Sequence, residues 1–162
     1  MTLHIRPALA EDAAAIWQIL EPVIRAGETY ALPRDMTEAA ALAYWMAPEK
    51  EPFVAMADQK IIGTYYIHPN QPGGGAHVAN CGYVTAQHQA GRGVAGAMCE
   101  HSLEAARARG FRAMQFNFVI ASNTRAIKLW EKFGFQTIGR LPGAFLHPQL
   151  GYTDALVMFL AL

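Results

Sequence analysis

Three glycines in the middle of the chain, Gly91, Gly93 and Gly96, have the spacing that most directly indicates a binding chemistry. They lie in the stretch QAGRGVAG, which follows an extended run at residues 76–85 and precedes an alanine-rich apolar run. A glycine-rich turn between a strand and a helix directs several backbone N–H groups to one point, and the helix dipole adds to that field. The sequence therefore predicts a phosphate-binding turn.

The same glycines also fit G-x-G-x-x-G, the fingerprint of dinucleotide-binding domains. That fingerprint belongs in the first βα unit of a doubly wound sheet, with an acidic residue about 20 residues further on for the ribose. Here it lies mid-chain, and the next predicted strand, residues 113–120, contains no Asp or Glu. A P-loop is excluded because no Gly-Lys-Ser/Thr follows. The sequence thus argues against a nicotinamide, flavin or P-loop nucleotide.

Predicted strands and helices of moderate length surround this turn. A helical stripe of apolar residues precedes Gly27, a second helix is capped by Thr37, a third follows the glycine turn to Arg109, and a fourth starts near Ser122 and ends at Gly134. Gly82 inside its strand suggests a bulge or a close approach by a ligand. The order predicts one α/β (α+β) domain over residues 1–162, with about four helices and a mixed, mainly antiparallel sheet of six or seven strands. Strands are expected at residues 3–6, 52–57, 61–67, 76–85, 113–120, 135–139 and 154–160.

The overall composition excludes several function classes. The chain has 162 residues, 52% of them hydrophobic, which is enough for a packed core, and its 13 basic and 13 acidic residues cancel. The lack of a basic excess argues against nucleic-acid binding. No run of 18 apolar residues and no secretory signal is visible, so we expect a cytoplasmic protein without a membrane span. Cys81 and Cys99 are too few for a disulfide framework or a zinc site, and no metal is expected.

Two ordered motifs resemble a known superfamily. The stretch VTAQHQAGRGVAG at residues 84–96 resembles the acyl-CoA loop of the GNAT N-acyltransferases, whose pattern is Arg/Gln-x-x-Gly-x-Gly/Ala. Gly93 and Ala95 match its last two fixed positions, whereas Ala90 stands at the first. The stretch NTRAIKLWEKFGF at residues 123–135 is similar to the superfamily's Asn-x-x-Ala-x-x-Leu-Tyr-x-x-x-Gly-Phe segment, with Trp130 in place of Tyr.

This resemblance implies a GNAT-like fold and an N-acetyltransferase that uses acetyl-CoA as cosubstrate. It implies that the strand before the glycine turn splays from its neighbour and bonds the pantetheine arm. The main chain of Val84 is a candidate donor to the thioester oxygen or the pantetheine. The diphosphate would lie on the glycine turn. The expected cofactor contacts are Tyr83, Val84, Gly91, Arg92, Gly93, Val94, Ala95, Gly96, Asn123 and Trp130.

The residues for proton transfer depart from the superfamily pattern. Many members carry a carboxylate on the strand before the acyl-CoA loop as general base, but residues 76–85 contain no Asp or Glu. Many carry a Tyr acid where this chain has Trp130, whose indole N–H does not protonate a thiolate at neutral pH. The chain instead offers Asn80, Asn117 and Asn123. An amide cannot act as a base, but it can bind a carboxylate or hold a water that relays a proton.

These asparagines narrow the resemblance to the fungal N-acetyltransferases that act on proline analogues such as azetidine-2-carboxylate. The similar segments are FNFVIASN at residues 116–123, Leu129-Trp130, IGR at 138–140 and GETY at 27–30. The resemblance implies that Asn80 and Asn117 lie at the acceptor and Asn123 at coenzyme A. It also implies that Glu28, Thr29 and Tyr30 belong to a loop over the acceptor. Each asparagine keeps a structural alternative: a bulge residue, a water-facing strand residue and a helix-terminal residue, respectively.

We therefore expect a cytoplasmic N-acetyltransferase that acetylates a small amine, such as an amino or imino acid, by direct attack in a ternary complex. Asn80, Asn117 and Asn123 are the candidate catalytic residues. A covalent route through Cys81 is the mechanistic alternative. The functional alternatives are a non-catalytic acyl-CoA sensor and an acetyltransferase of protein N-termini or lysines. The apolar run at residues 155–162 could pair across a homodimer or complete the core.

Overall fold

One seven-stranded sheet organises the chain in this computed structural model, which describes residues 2–162. The strand order is β1-β2-β3-β4-β5-β7-β6, and every neighbouring pair is antiparallel except β4–β5. The α/β class and the predicted strand number are confirmed. The strands are β1 (His4–Pro7), β2 (Glu51–Ala57), β3 (Lys60–Pro69), β4 (Val78–Thr85), β5 (Ala113–Ile120), β6 (Gln136–His147) and β7 (Gly151–Ala161).

Four α-helices flank the sheet, as expected: α1 (Ala13–Ala26), α2 (Glu38–Trp45), α3 (Val94–Ala108) and α4 (Thr124–Lys132). Gly27 ends α1 in the left-handed conformation, which glycine adopts without a steric penalty. The hydroxyl of Thr37 accepts the N–H of Ala40 and caps α2. The cap of α4 is Asn123, whose Oδ1 faces the N–H of Ala126 at 3.4 Å, so the helix begins slightly later than the predicted start near Ser122. No helix in the described residues is of a length and apolarity that would cross a membrane.

The two faces of the sheet bury separate apolar clusters. The larger cluster lies under α3 and α4 and contains Met98, Met114 and Trp130, while the other lies under α1 and α2 and contains Ile16 and Trp45. Because successive side chains of a strand point to opposite faces, the odd-numbered residues of β4 and of β3 from residue 63 onward face the first cluster, and the even-numbered ones face the second. Before residue 63 a register shift between β2 and β3 reverses this order, so Ile62 joins the first cluster and Ile61 packs against the second. The sheet is therefore covered on both sides along its central strands.

The parallel pair β4–β5 comes apart soon after it begins. Its register contains only Val78–Ala113 and Ala79–Met114, after which the strands diverge. On its other edge β4 stays paired with β3 over seven consecutive residue pairs. The expected splay is thus present, and it opens a gap in the middle of the sheet.

The register of β4 decides which peptide groups face this gap. Ala86 N–H donates to the Ile62 carbonyl, so the even-numbered residues of β4 bond to β3 in the alternating antiparallel pattern. The odd-numbered residues, including Cys81 and Tyr83, turn their N–H and C=O groups toward the gap. Val84 pairs with Thr64 of β3, so the expectation that the Val84 main chain donates to the thioester oxygen or the pantetheine was wrong.

Two further expectations need correction. β6 and β7 are longer than predicted, because their pairing continues through register shifts at Thr137/Gly139 and Leu141/Phe145 that no local alternation signals. Gly82 forms no bulge, since the β3–β4 register is continuous. Instead, a Cβ on Gly82 would lie 2.8 Å from ring atoms of Tyr66, so this glycine makes room for an aromatic ring.

Gly82→Ala tests this packing. The added methyl would force the buried Tyr66 ring to move, and we expect a loss of about 1–3 kcal/mol in the free energy of unfolding measured by urea denaturation. Gly74→Ala is the matched control, because a Cβ there meets nothing within 4 Å. The control should stay within about 0.5 kcal/mol of the wild type. Equal stability of the two variants would contradict the proposed reason for Gly82.

Candidate active site

A cleft of about 1190 Å³ passes through the gap between β4 and β5. Residues of the glycine turn line one end of it, peptide groups of β4 line the middle, and tyrosines from three segments line the other end. The cleft therefore connects the predicted phosphate site with the predicted acceptor loop. Its wall includes Tyr30, Tyr44, Asn80, Gly93, Asn123 and Trp130.

The phosphate end is built by the turn that leads into α3. Gly91 and Gly93 have φ values of +84° and +83°, in the left-handed region that glycine adopts readily. Gly93 caps α3, so the N–H groups of Val94, Ala95 and Gly96 in the first turn have no acceptor within the helix. A Cβ on Gly93 would meet nothing within 4 Å, which shows open space beside the start of α3. The turn fits a diphosphate group.

A cation that the sequence analysis did not single out stands beside this turn. Arg125, in the first turn of α4, lies on the cleft wall, and a Cβ on Gly91 would be 2.8 Å from its Nη2. Arg92 is exposed and is not among the residues that line the cleft. The folded chain thus brings Arg125, rather than Arg92, to the phosphate end. Only the packing of α4 against α3 reveals this, because the two segments are far apart in sequence.

Two buried polar atoms on the cleft wall lack a protein partner. The Oγ1 of Thr85 and the Oε1 of Gln89 are both buried without a hydrogen bond. Both residues line the cleft next to the glycine turn. Buried polar groups of native proteins are normally satisfied, so these atoms are suited to accept hydrogen bonds from a bound molecule.

Aromatic side chains pack on both faces of β4 beside the cleft. Tyr30 donates its hydroxyl to the Tyr83 carbonyl at 3.0 Å, which ties the loop after α1 to the edge of β4. The Tyr83 ring points to the opposite face of the sheet, where its hydroxyl meets Ser102 at 2.7 Å and its ring packs against Trp130. Burial raises the pKa of both tyrosines, so both stay protonated at neutral pH. Tyr30, Tyr83 and Trp130 all line the cleft.

The acceptor end is lined by neutral polar and aromatic groups. Asn80 donates through Nδ2 to the Gln115 carbonyl at 2.9 Å, and its Oδ1 lies 3.1 Å from Nε2 of His68. The Tyr44 and Tyr66 rings lie on the same part of the wall, and the Lys50 ammonium stands 3.4 Å from the Tyr44 ring centroid. Burial lowers the pKa of Lys50. Tyr44, Tyr66 and His68 lie outside the recognised motifs, so the sequence did not indicate that they would lie close to Asn80.

The other two asparagines differ in their surroundings. Asn117 is exposed, although it borders the cleft, and its amide bonds to Asn70 at 2.6 Å and to Gln115 at 2.9 Å. Asn123 caps α4 and lines the cleft. Asn117 and Gln115 both belong to β5, so the hydrogen bond of Asn117 to Asn70 connects β5 with the segment between β3 and β4.

A smaller cavity of about 310 Å³ lies beside the cleft. Glu28 lines this cavity and not the main cleft, whereas Thr29 and Asn123 line both. The two cavities are therefore neighbours at the loop after α1. Of the three predicted acceptor-loop residues, the structure places Thr29 and Tyr30 on the main cleft and Glu28 beside it.

Comparison with known proteins agrees with this geometry. A model of the acetyltransferase (GNAT) family matches residues 13–135. The chain belongs to the GNAT family of acetyltransferases. It is 28% identical over 151 residues to the N-acetyltransferase aca1 of Schizosaccharomyces pombe, covering 83% of this chain and 72% of that protein.

Two solved GNAT structures show the same fold. A GCN5-related N-acetyltransferase from Kribbella flavida matches with a TM-score of 0.94 and 41% identity, over 99% of this chain and 98% of that one. A phosphinothricin acetyltransferase from Sinorhizobium meliloti, in complex with acetyl-CoA, matches with a TM-score of 0.86 and 20% identity, over 100% and 89%. The chain is thus an acyltransferase, and acetyl-CoA is the cosubstrate of this GNAT family.

Gly93→Glu tests the phosphate site of this GNAT acetyltransferase. The new carboxylate would extend into the open space before the α3 amides and repel a diphosphate, so we expect at least a tenfold loss in acetyl-CoA affinity by calorimetry. Gly93→Ala is the control, because it imposes the same strain at positive φ without the charge. Unchanged affinity in the glutamate variant would remove the phosphate assignment, and equal losses in both variants would assign the effect to strain.

Proposed function

We propose that this GNAT acetyltransferase moves the acetyl group of acetyl-CoA to the amine of a small molecule, of the amino- or imino-acid type, by direct attack in a ternary complex. The observation that carries the proposal is one continuous cleft, with a phosphate site at one end and a tyrosine- and amide-lined wall at the other. The gap between β4 and β5 lies between these ends. A thioester held along β4 would therefore meet an amine held against the opposite wall.

Acetyl-CoA binding is assigned to main-chain groups and to a few side chains. The amides of Val94, Ala95 and Gly96 would hold the diphosphate, helped by Arg125. The gap-facing peptide groups of β4, such as those of Cys81 and Tyr83, would bond the pantetheine and donate to the developing oxyanion. Asn123, Trp130 and the unpartnered acceptors of Thr85 and Gln89 complete this wall. The cosubstrate supplies an activated acyl group with a thiolate leaving group.

The acceptor is assigned to the wall around Asn80. Tyr30, Tyr44 and Tyr66 make this wall largely aromatic, and Asn80 retains one N–H and one oxygen lone pair after its two contacts. The nearby Lys50 ammonium provides a positive field. Within residues 2–162, the one carboxylate on the cleft wall is that of Glu100 on α3. A neutral to positive wall suits an acceptor that carries a carboxylate better than a polyamine.

A small acceptor is favoured over a protein by the bond between Tyr30 and the Tyr83 carbonyl. It holds the loop after α1 against β4 and narrows access to the gap. Asn117 and the cavity beside Glu28 would contact the outer part of the acceptor. In the part of the chain that the structure describes, no carboxylate from β4 or β5 lines the cleft, and this observation motivates the second candidate, a non-catalytic acyl-CoA sensor. In the enzyme, water would carry away the proton.

A panel of acceptors tests this function. Purified protein with acetyl-CoA is offered free amino acids, cyclic imino acids including proline and azetidine-2-carboxylate, a polyamine and short peptides, and thiol release is recorded. We expect turnover on amino or imino acids at least tenfold above that on the polyamine or the peptides. Faster turnover on peptides would favour a protein acceptor. Tight acetyl-CoA binding without turnover on any amine would favour the sensor.

Cys81→Ala separates direct attack from a covalent route. Burial raises the pKa of the Cys81 thiol to about 12, so below that pH it stays protonated and is a poor nucleophile. We expect kcat within about threefold of the wild type and no burst of thiol release without an amine. Cys99→Ala, at an equally buried thiol on α3, controls for lost packing. Loss of turnover in the Cys81 variant alone, at preserved stability, would support an acyl-cysteine.

A further inference from the structure

We propose that His68 is a positioning residue of this enzyme, because its Nε2–H fixes the side-chain amide of Asn80 at the point where β4 and β5 part. The inference deepens the proposed function and rests on it. Three observations carry it: the direction of the Asn80 amide, the tautomer that this direction imposes on His68, and the register of the parallel pair.

The direction of the Asn80 amide follows from its partner on β5. The main-chain carbonyl of Gln115 can only accept a hydrogen bond, so the atom 2.9 Å away must be the nitrogen of the Asn80 amide. The oxygen of that amide is then the atom that faces His68 at 3.1 Å. The two contacts together hold the amide in one orientation.

This orientation fixes the tautomer of His68. The Asn80 oxygen can only accept, so His68 must donate from Nε2, and in the neutral ring Nδ1 carries no proton. Burial has the largest effect on His68 and lowers its pKa, and the Lys50 ammonium adds to this effect. The hydrogen bonds to Asn80 and to the Pro69 backbone, together with the Glu49 carboxylate, act in the opposite direction. The Tyr66 ring, at 5.5 Å between centroids, covers the imidazole. Nε2 also carries a proton in the charged ring, so the contact survives in both protonation states.

The register shows what the Asn80 side chain replaces. With Ala79 opposite Met114, the next rung of a continuing parallel ladder would join the Cys81 N–H to the Gln115 carbonyl. The side-chain amide of Asn80 donates a hydrogen bond to the Gln115 carbonyl instead. The strands can therefore diverge without leaving the Gln115 carbonyl unsatisfied, and the Cys81 N–H remains free to face the gap.

His68 acts in this arrangement through Asn80 and does not itself line the cleft. Without its Nε2–H, the Asn80 amide would be free to rotate about its side chain and to leave the Gln115 carbonyl. Both the acceptor wall and the gap-facing Cys81 peptide group would lose their alignment. The diphosphate site, formed by α3 and its preceding turn, would be unaffected.

The test compares His68→Phe, His68→Gln, Asn80→Ala and the double variant His68→Phe/Asn80→Ala, using the best amine of the acceptor panel. Phenylalanine keeps a ring beside Tyr66 but cannot donate, whereas the glutamine amide can. We expect His68→Phe to lower kcat/KM for the amine about three- to tenfold, the effect of one buried hydrogen bond. Its acetyl-CoA affinity should not change, and His68→Gln should recover most of the loss.

The double variant supplies the decisive comparison. If His68 acts through Asn80, His68→Phe has no further effect once Asn80 is alanine. Additive losses of kcat/KM in the double variant would overturn the proposal. A loss in His68→Gln as large as that in His68→Phe would also overturn it. His77→Phe is the matched control, since His77 is exposed two residues upstream of Ala79 and should leave kinetics unchanged. Melting temperatures of all variants exclude general unfolding.

A spectroscopic measurement tests the geometry independently of turnover. Long-range ¹H–¹⁵N spectra of the wild type at pH 8 should show His68 as the Nε2–H tautomer, and this signal should shift in Asn80→Ala. A neutral Nδ1–H tautomer would overturn the proposal. If the wild type turns over no amine, the proposed function fails while these spectra still report on the contact between His68 and Asn80.

Discussion

The gap between β4 and β5 leaves backbone N–H and C=O groups without ladder partners in the middle of a covered sheet. Unpaired backbone groups away from water are costly, so a sheet does not open in this way unless other groups satisfy them. Here the Tyr30 hydroxyl donates a hydrogen bond to the Tyr83 carbonyl, and the Asn80 amide donates one to the Gln115 carbonyl. The donors that remain face the cleft. The site can thus bind a ligand because side chains satisfy two of the carbonyl groups at the gap, while N–H groups at the gap stay free.

The gap is stable because each bordering strand is held from its outer edge. β4 keeps seven residue pairs with β3, and β5 pairs with β7 on both sides of an irregularity between Phe116 and Val119. Below the gap, the Tyr83, Phe116 and Trp130 rings pack with centroids 5.0 to 5.8 Å apart. This aromatic contact spans the divergent strands and α4. The tryptophan that stands where the GNAT pattern has tyrosine therefore supports the floor of the cleft.

The features that the sequence predicted are those encoded over short distances. The glycine turn, the caps of α1 and α2 and the apolar faces of the helices depend on neighbouring residues and could be predicted directly. Arg125 and Tyr66 also line the cleft, and His68 contacts Asn80 on its wall, but these three residues reach it only through tertiary packing. The error at Val84 has the same origin, because the side to which a peptide group points depends on strand pairing. The full length of β6 was not predicted because its glycines and register shifts disrupt the alternation that indicates a strand.

The surroundings of Lys50 indicate how a site without a carboxylate base near Asn80 can use an amine. An amine must lose its proton before it attacks, and free amines with a pKa near that of lysine, about 10.4, are mostly protonated at neutral pH. Lys50 stands over the Tyr44 and Tyr66 rings, and burial lowers its pKa. In the proposed complex, an acceptor ammonium on the same aromatic wall would experience the same desolvation, together with repulsion from Lys50 itself. Both effects would favour the neutral amine, so the wall proposed to hold the acceptor would also promote loss of its proton to water.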